Sequence, residues 1–156
     1  MLDTEHFRKY IIRDTLKAAD MWSQAAENLL LGTALVESNL TYLHQLGGGP
    51  ALGLYQCEPS THLDVVDYIK RKPDIARKVL EVCRLYAWPG DHALMWNLRY
   101  ATLICRIHYL RIPEPLPCAN DYLGLASYHK RHYNTSKGKT DIEKSSKIFQ
   151  GVIVYV

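Results

Sequence analysis

The sequence predicts a mainly α-helical single domain, spanning residues 1–156, built around one buried helix. Residues 92–110 carry apolar side chains at the spacing of a helical face. Residues 22–36 are apolar on nearly all sides, which is typical of a helix buried all round. Glycines then interrupt residues 41–56, and this change predicts a loop region with a short hairpin. A chain of 156 residues is long enough to bury one core of this kind.

Capping residues and prolines predict where the other helices begin. The helix after Asp91 is predicted to run unbroken to about Leu110, because apolar residues recur without interruption. A proline-rich linker follows at residues 112–117, and Gly151 is predicted to end the last helix. The predicted first residues or caps are Asp3 or Thr4, Ser60 or Thr61, Pro73, Asp91, Asn120, and a capping box of Thr140 and Glu143.

The bulk composition is that of an ordinary globular domain, with 47% hydrophobic and 22% charged residues. The formal net charge of +3 favours approach to an anionic polymer, but it is weaker than the basic stripe of a dedicated nucleic-acid binder. The longest apolar runs are too short to span a bilayer. No basic segment precedes an apolar stretch near the N-terminus, which predicts that there is no secretory signal.

The cysteines occur at irregular intervals and are interpreted as free core thiols, with two disulfides as the alternative. Two Cys/His or His/His pairs are spaced three residues apart, but they are scattered and lie beside apolar positions. Core cysteines and partly exposed histidines are therefore favoured over a metal site. The residues concerned are Cys57, Cys83, Cys105, Cys118, His108, His129 and His132.

Glu37 is the most unusual residue of the sequence, because it closes a helix that is otherwise apolar. A carboxyl group there is partly desolvated and lies at the negative end of the helix dipole, and both effects disfavour its ionised form. Glycosidic cleavage requires a carboxylic acid that stays protonated, since it must donate a proton to the leaving oxygen. The alternative is a solvated glutamate on the last helical turn.

Two further patches offer groups that bind sugars. In residues 53–56, glycine lets the backbone approach a ligand, and Gln56 offers both a donor and an acceptor. In residues 128–135, tyrosine hydroxyls and an asparagine amide can orient a carboxyl group and a sugar. The alternatives are an ordinary turn for the first patch and a basic, solvated helix end for the second.

Taken in order, these segments resemble the catalytic core of the soluble lytic transglycosylase and goose-type lysozyme superfamily. Glu37-Ser38 is similar to the Glu-Ser pair that ends a buried helix in that family, and residues 53–56 are similar to its Gly-Leu-Met-Gln motif. The resemblance covers about residues 25–140 and is closest to small members encoded by bacteriophages. Supporting matches are Pro59 and Thr61 to a Pro-x-Thr, residues 97–101 to an Asn-initiated helix motif, and Tyr133-Asn134 to a Tyr-Asn motif.

The chain departs from the family pattern at several positions. Tyr55 stands where the family has a methionine, and Glu58 stands where it more often has an apolar residue. The family's Tyr-Asn-Ala-Gly is here Tyr-Asn-Thr-Ser. Tyr128 is therefore an alternative to Tyr133 as the tyrosine that orients the catalytic carboxyl group.

The resemblance implies a lysozyme-like α+β fold and an enzyme that cleaves peptidoglycan between N-acetylmuramic acid and N-acetylglucosamine, with Glu37 as acid/base. A lytic transglycosylase releases a 1,6-anhydro sugar, whereas a hydrolytic muramidase uses a second carboxylate, for which Glu58 and Asp64 are the candidates. No metal and no organic cofactor is implied. The implied substrate-binding residues are Ser38, Tyr55, Gln56, Tyr133 and Asn134.

Two other classes of function remain open. One is a virion structural protein that holds glycan without cutting it. The other is a helical nucleic-acid binder, suggested by basic residues 129–147, although Asp141 and Glu143 within them favour a solvated end. The implied partners are peptidoglycan glycan strands and other phage virion or tail proteins. The predicted lack of a secretory signal is compatible with two locations. The protein is either a virion or tail component, or it stays in the host cytoplasm before release to the cell wall.

Overall fold

The first helical region consists of three segments that run directly into one another. They are α1 (Thr4–His6), a π-helical stretch (Phe7–Arg13) and α2 (Asp14–Ala18). The computed structural model describes residues 1–133 and 141–153. The later helices are α3 (Gln24–Ser38), α4 (Pro59–Lys70), α5 (Pro73–Val82), α6 (Ala93–Trp96), α7 (Leu98–Leu110), α8 (Tyr122–His132) and α9 (Ile142–Val152).

Most helices begin where a side chain or a proline satisfies the first turn. The Asp3 carboxylate accepts a hydrogen bond from the His6 N–H at 2.9 Å, and the Ser23 hydroxyl accepts one from the Ala26 N–H at 3.0 Å. Helices α4 and α5 both start at a proline, which needs no N–H partner there. Asp3 and Pro73 therefore begin their helices as predicted, while α4 begins at Pro59, just before the predicted Ser60 or Thr61.

Helix α3 lies at the centre of the molecule. Residues 26–34 of this helix are all buried, as the unbroken apolar composition predicts. The π-helical stretch, α7, α8 and α9 pack around it. Helix α9 packs tightly against Gly32 of α3, where an added Cβ would lie only 2.0 Å from the Phe149 ring. The described residues form one compact, mainly helical domain around this helix.

A buried charged cluster ties the N-terminal helical region to both α3 and α9. The Glu27 side chain is fully buried and accepts hydrogen bonds from Arg8 at 3.0 Å and from Arg13 at 2.7 Å. Arg8 also donates to Asn28 at 2.9 Å and to the Val152 carbonyl oxygen. Since buried charges need opposite charges and hydrogen bonds, these contacts account for a glutamate inside an apolar helix.

The structure corrects the sequence prediction at several further helix boundaries. Helix α8 begins at Tyr122 and is capped by Asp121 rather than starting at Asn120, and His92 rather than Asp91 precedes α6. The predicted helix over residues 92–110 is broken at Asn97, whose extended backbone separates α6 from α7 and whose side chain caps α7. Helix α9 is capped by Asp141, which accepts from the Glu143 N–H at 3.0 Å, rather than by Thr140, which lies outside the described residues. Gly151 does not end α9, because the helix continues to Val152.

The predicted hairpin after α3 is reduced to isolated antiparallel bridges. Leu52 pairs with both His44 and Cys57, and a 3₁₀ turn (Leu46–Gly48) precedes these bridges. No β-strand occurs in residues 1–133 and 141–153. The segment nevertheless folds back against the end of α3, and this packing brings residues 53–56 next to Glu37.

All four cysteines lie in the described part of the chain and all are unpaired. Cys57, Cys83 and Cys105 are buried, as predicted for core thiols, whereas Cys118 is exposed on the linker before α8. Burial raises the pKa of the Cys57 and Cys83 thiols to about 12. Within the described ranges, no helix is long and apolar enough to cross a membrane.

Candidate active site

Glu37 lies on the last turn of α3, at the point where the chain leaves the core. Its side chain is only 5% exposed. The helix ends directly after it because Asn39 adopts a left-handed conformation with φ of 51°, and the Asn39 N–H closes the turn on the Leu35 carbonyl oxygen. Leu40 is also left-handed, with φ of 53°. Such strained backbone is tolerated only where the surrounding structure holds it, and it often accompanies functional sites.

Ser38 joins the end of α3 to the segment that carries the second motif. Its hydroxyl group is buried and lies 2.6 Å from the Leu54 carbonyl oxygen and 3.2 Å from the Ala34 carbonyl oxygen. A hydroxyl group has a single proton to donate, and this one is engaged by the backbone. The structure therefore gives Ser38 a role in positioning residues 53–56 and leaves it no proton for the predicted substrate contact.

The turn at residues 53–56 has a conformation that only glycine adopts easily at its first position. Gly53 has φ of +77°, and an added Cβ would lie 2.1 Å from the Leu94 carbonyl oxygen. Gln56 is also left-handed, with φ of 49°. Its backbone N–H and its side-chain Nε2 both donate to the Gly53 carbonyl oxygen, at 2.9 and 3.0 Å. These bonds hold the Gln56 amide beside Glu37.

Glu37 and Gln56 together line two neighbouring cavities. The smaller has a volume of about 30 Å³, enough for a water molecule, and is also lined by Glu58, Thr61, His108 and Tyr133. The larger has a volume of about 290 Å³, close to the size of a small-ligand pocket, and is also lined by Val36, Ser38, Asn39, Tyr42, Gln45 and Leu46. Glu37 thus borders both a water-sized space and a ligand-sized space.

Two of the predicted site residues do not face these cavities. Tyr55 is 2% exposed, and its hydroxyl group is hydrogen-bonded to Thr102 at 2.9 Å inside the core. The prediction that Tyr55 contacts a sugar is wrong for this structure, because its ring has no access to solvent. Asp64 is exposed on α4 and lines neither cavity, whereas Glu58 lines the smaller one. Of the two candidate second carboxylates, only Glu58 lies at the site.

Tyr133, rather than Tyr128, is the tyrosine that lines the cavity beside Glu37. Its hydroxyl group donates to the Tyr55 carbonyl oxygen at 2.5 Å, which fixes the turn at residues 53–56 from a second side. Burial raises the pKa of Tyr133 well above its usual range, so that the hydroxyl group remains a donor. Tyr128 instead donates to the Glu114 carbonyl oxygen at 2.9 Å. Asn134 lies outside the described residues.

Two histidines that the sequence analysis did not assign to the site are part of it. His108 lines the smaller cavity; burial lowers its pKa to about 4, so its ring is neutral at pH 7. Its Nε2 donates to the His132 carbonyl oxygen at 2.6 Å. His129 is fully buried, contrary to the predicted partial exposure, and its Nε2 lies 3.5 Å from Glu37 Oε1. The sequence signal for this burial was the spacing: His129 follows Leu125 by four residues, so both lie on the same buried face of the helix.

The arrangement has the parts that acid/base chemistry on a neutral polar substrate needs. It offers a nearly buried carboxyl group, a second acidic residue that lines the same water-sized cavity, and an amide and a tyrosine that fix the surrounding backbone. The described residues contain no group of three or more His, Cys, Asp or Glu side chains that could hold a metal ion. Comparison of the chain with family models, with curated proteins and with solved structures finds no match.

Proposed function

We propose that the protein is a lytic transglycosylase that cleaves the β-1,4 bond between N-acetylmuramic acid and N-acetylglucosamine in peptidoglycan. The observation that carries the proposal is the position of Glu37, whose side chain is nearly buried and which lines both the water-sized and the ligand-sized cavity. Gln56 lines both cavities beside it. A glycan strand seated in the larger cavity would present its glycosidic oxygen to this carboxyl group.

The proposed reaction needs only Glu37 to exchange a proton. The protonated carboxyl group donates its proton to the glycosidic oxygen, and the C1–O bond breaks with its electron pair going to that oxygen. The sugar passes through an oxocarbenium-like state. The Glu37 carboxylate then takes the proton of the sugar's own 6-hydroxyl group as that oxygen bonds to C1. The product is a 1,6-anhydro sugar, and no water is consumed.

A hydrolytic muramidase is the second candidate, and the position of Glu58 favours it. Glu58 and Thr61 line the water-sized cavity on which Glu37 also borders. A carboxylate in this position can take a proton from a water molecule as that water attacks C1. The reaction would then release an ordinary reducing end rather than an anhydro sugar.

Mass spectrometry of the muropeptides released from purified peptidoglycan tests the proposal. We expect wild type to release 1,6-anhydro products and Glu37→Gln to release none, because glutamine cannot donate or accept the proton. Glu58→Gln should retain activity if the enzyme is a transglycosylase and lose it if the enzyme is a muramidase. Glu81→Gln is the matched control, since this glutamate is exposed on α5 and lines neither cavity.

The products distinguish the candidate functions. Reducing-end products that disappear in Glu58→Gln would replace the transglycosylase by the muramidase. If wild type releases nothing from several types of cell wall yet pellets with them, a glycan-holding structural protein would replace both enzymes. Activity that survives in Glu37→Gln would contradict any mechanism that uses Glu37 as acid/base.

A further inference from the structure

His129 is buried in a way that ordinary core packing does not explain. The residue is 0% exposed, and neither of its ring nitrogens has a hydrogen-bond partner among residues 1–133 and 141–153. A buried polar group without a hydrogen bond costs free energy, and such exceptions in a folded protein call for a reason. An apolar side chain of similar size would fill the same space without this cost.

The ring of His129 is fixed by its aromatic neighbours. Tyr133 stacks on it, with ring centroids 5.7 Å apart and planes inclined by 24°. Phe149 of α9 lies nearby, with ring centroids 6.1 Å apart. The ring therefore has little freedom to turn. In this orientation Nε2 lies 3.5 Å from Glu37 Oε1.

We propose that His129 is a positioning residue for Glu37, which it holds through a hydrogen bond from its Nε2–H to the Glu37 carboxyl group; the inference rests on the proposed function of Glu37 as acid/base. The observed separation of 3.5 Å is a few tenths of an ångström beyond a normal hydrogen bond. Catalytic hydrogen bonds are often long without substrate and shorten in the complex. His129 itself touches no substrate, because it is fully buried and lines neither cavity.

The contact matters most after the first proton transfer. Glu37 is then a nearly buried carboxylate, which needs a hydrogen-bond donor more than the protonated acid does. An Nε2–H group 3.5 Å from Oε1 needs to move only a few tenths of an ångström to donate to it, and that bond would stabilise the carboxylate and hold it where it can take the next proton. His108, the other histidine at the site, does not serve this purpose, since its Nε2–H is already donated to the His132 carbonyl oxygen.

Two substitutions at position 129 separate positioning from packing. His129→Phe keeps an aromatic ring against Tyr133 but removes the donor, and we expect kcat to fall about ten- to a hundredfold with little change in KM. His129→Gln keeps an N–H donor and should recover most of that loss. Thermal unfolding of both variants verifies that they fold. A role in packing alone would make the phenylalanine variant as active as wild type, and that result would overturn the proposal.

A second measurement does not depend on activity. The ¹⁵N resonances of the His129 ring should shift when Glu37 is replaced by glutamine, and they should stay in place in Glu81→Gln. Unchanged resonances in Glu37→Gln would overturn the proposal. If wild type fails to cleave peptidoglycan, the proposed function fails, while the resonances alone then decide whether His129 and Glu37 are paired.

Discussion

The conformation around Glu37 depends on a small number of backbone contacts. Ser38 and Tyr133 each bind a carbonyl oxygen within residues 53–56, at 2.6 and 2.5 Å. The turn itself depends on Gly53, whose φ of +77° and close approach to Leu94 exclude a side chain. At the scale of single residues, the site is therefore held by groups that need not touch a substrate.

Replacing Gly53 should destabilise the protein and displace Gln56. In Gly53→Ala the added Cβ would lie 2.1 Å from the Leu94 carbonyl oxygen, and the left-handed backbone alone costs an L-residue about 1–2 kcal/mol. We expect the free energy of unfolding, measured in urea, to fall by at least that amount. Gly90→Ala is the matched control, because no atom lies within 4 Å of its added Cβ. If the two variants were equally stable, the backbone at position 53 would not require glycine.

At the scale of secondary structure, the contact between α3 and α9 depends on the absence of a side chain at Gly32. The Phe149 ring fills the space above this glycine and is fully buried. Helix α9 also approaches α8, which carries His129. Packing of α9 against α3 therefore also holds Phe149 against His129, next to the end of α3 that carries Glu37.

Gly32→Ala should loosen this contact. The new Cβ would lie 2.0 Å from the Phe149 ring, so the ring or the helix must move, and we expect a loss of about 1–3 kcal/mol in the free energy of unfolding. Gly151→Ala, within α9 itself, should instead gain up to about 1 kcal/mol, because the position is open and alanine favours helix. Chemical denaturation of both variants measures the difference. A stabilised Gly32→Ala variant would show that α9 is not closely packed there.

The sequence was most informative where a local interaction decides the structure. The cap at Asp3 and the helix start at Pro73 were predicted because each depends only on the first turn of its own helix. Asp3 accepts a hydrogen bond from a first-turn N–H, and proline has no N–H that needs a partner there. The break at Asn97 was not predicted from the apolar spacing, which continues through it, although the resemblance of residues 97–101 to an Asn-initiated helix motif was a local signal for a helix start there. Periodicity reports which face is buried, not whether the backbone is continuous.

For the candidate site too, local sequence indicated some features, whereas those that depend on long-range packing were missed. Glu37 and Gln56, from two separate motifs, line the same two cavities. Tyr55 was assigned to the ligand surface, but its ring is buried in the core, where its hydroxyl group is hydrogen-bonded to Thr102 of α7. His129 lies 92 residues after Glu37 in the sequence, and nothing local indicates that the two side chains meet. Such long-range pairs need the packing of whole helices.

At the scale of the whole molecule, the Glu27 cluster links the two ends of the chain. Burial alone raises the pKa of the Glu27 carboxyl group, but hydrogen bonds from Arg13, Trp22, Gln24 and Arg8 outweigh burial and lower the pKa to about 2. Arg8 also contacts Val152 near the C-terminal end of α9. Protonation of this one carboxyl group would therefore weaken contacts across the whole domain.

The cluster predicts a specific loss of stability in acid. The pKa of Glu27 is depressed in the folded state, so its contribution is complete above the ordinary value of 4.5 and is lost as the pH falls towards about 2. We expect this contribution to be about 3 kcal/mol. The difference in unfolding free energy between wild type and Glu27→Gln should shrink over that pH range. A difference that does not depend on pH would contradict this origin, and Glu81→Gln should show no difference from wild type.

Because only one of the four cysteines is exposed, thiol labelling can measure unfolding of the protein without any substitution. A thiol reagent added to the folded protein should modify Cys118 alone, since Cys57, Cys83 and Cys105 are buried. Each global opening event exposes the other three, so the fraction of chains carrying four labels counts the molecules that have unfolded. A fluorescent or spin label can likewise be attached at Cys118, on the linker before α8, without replacing any residue of the site.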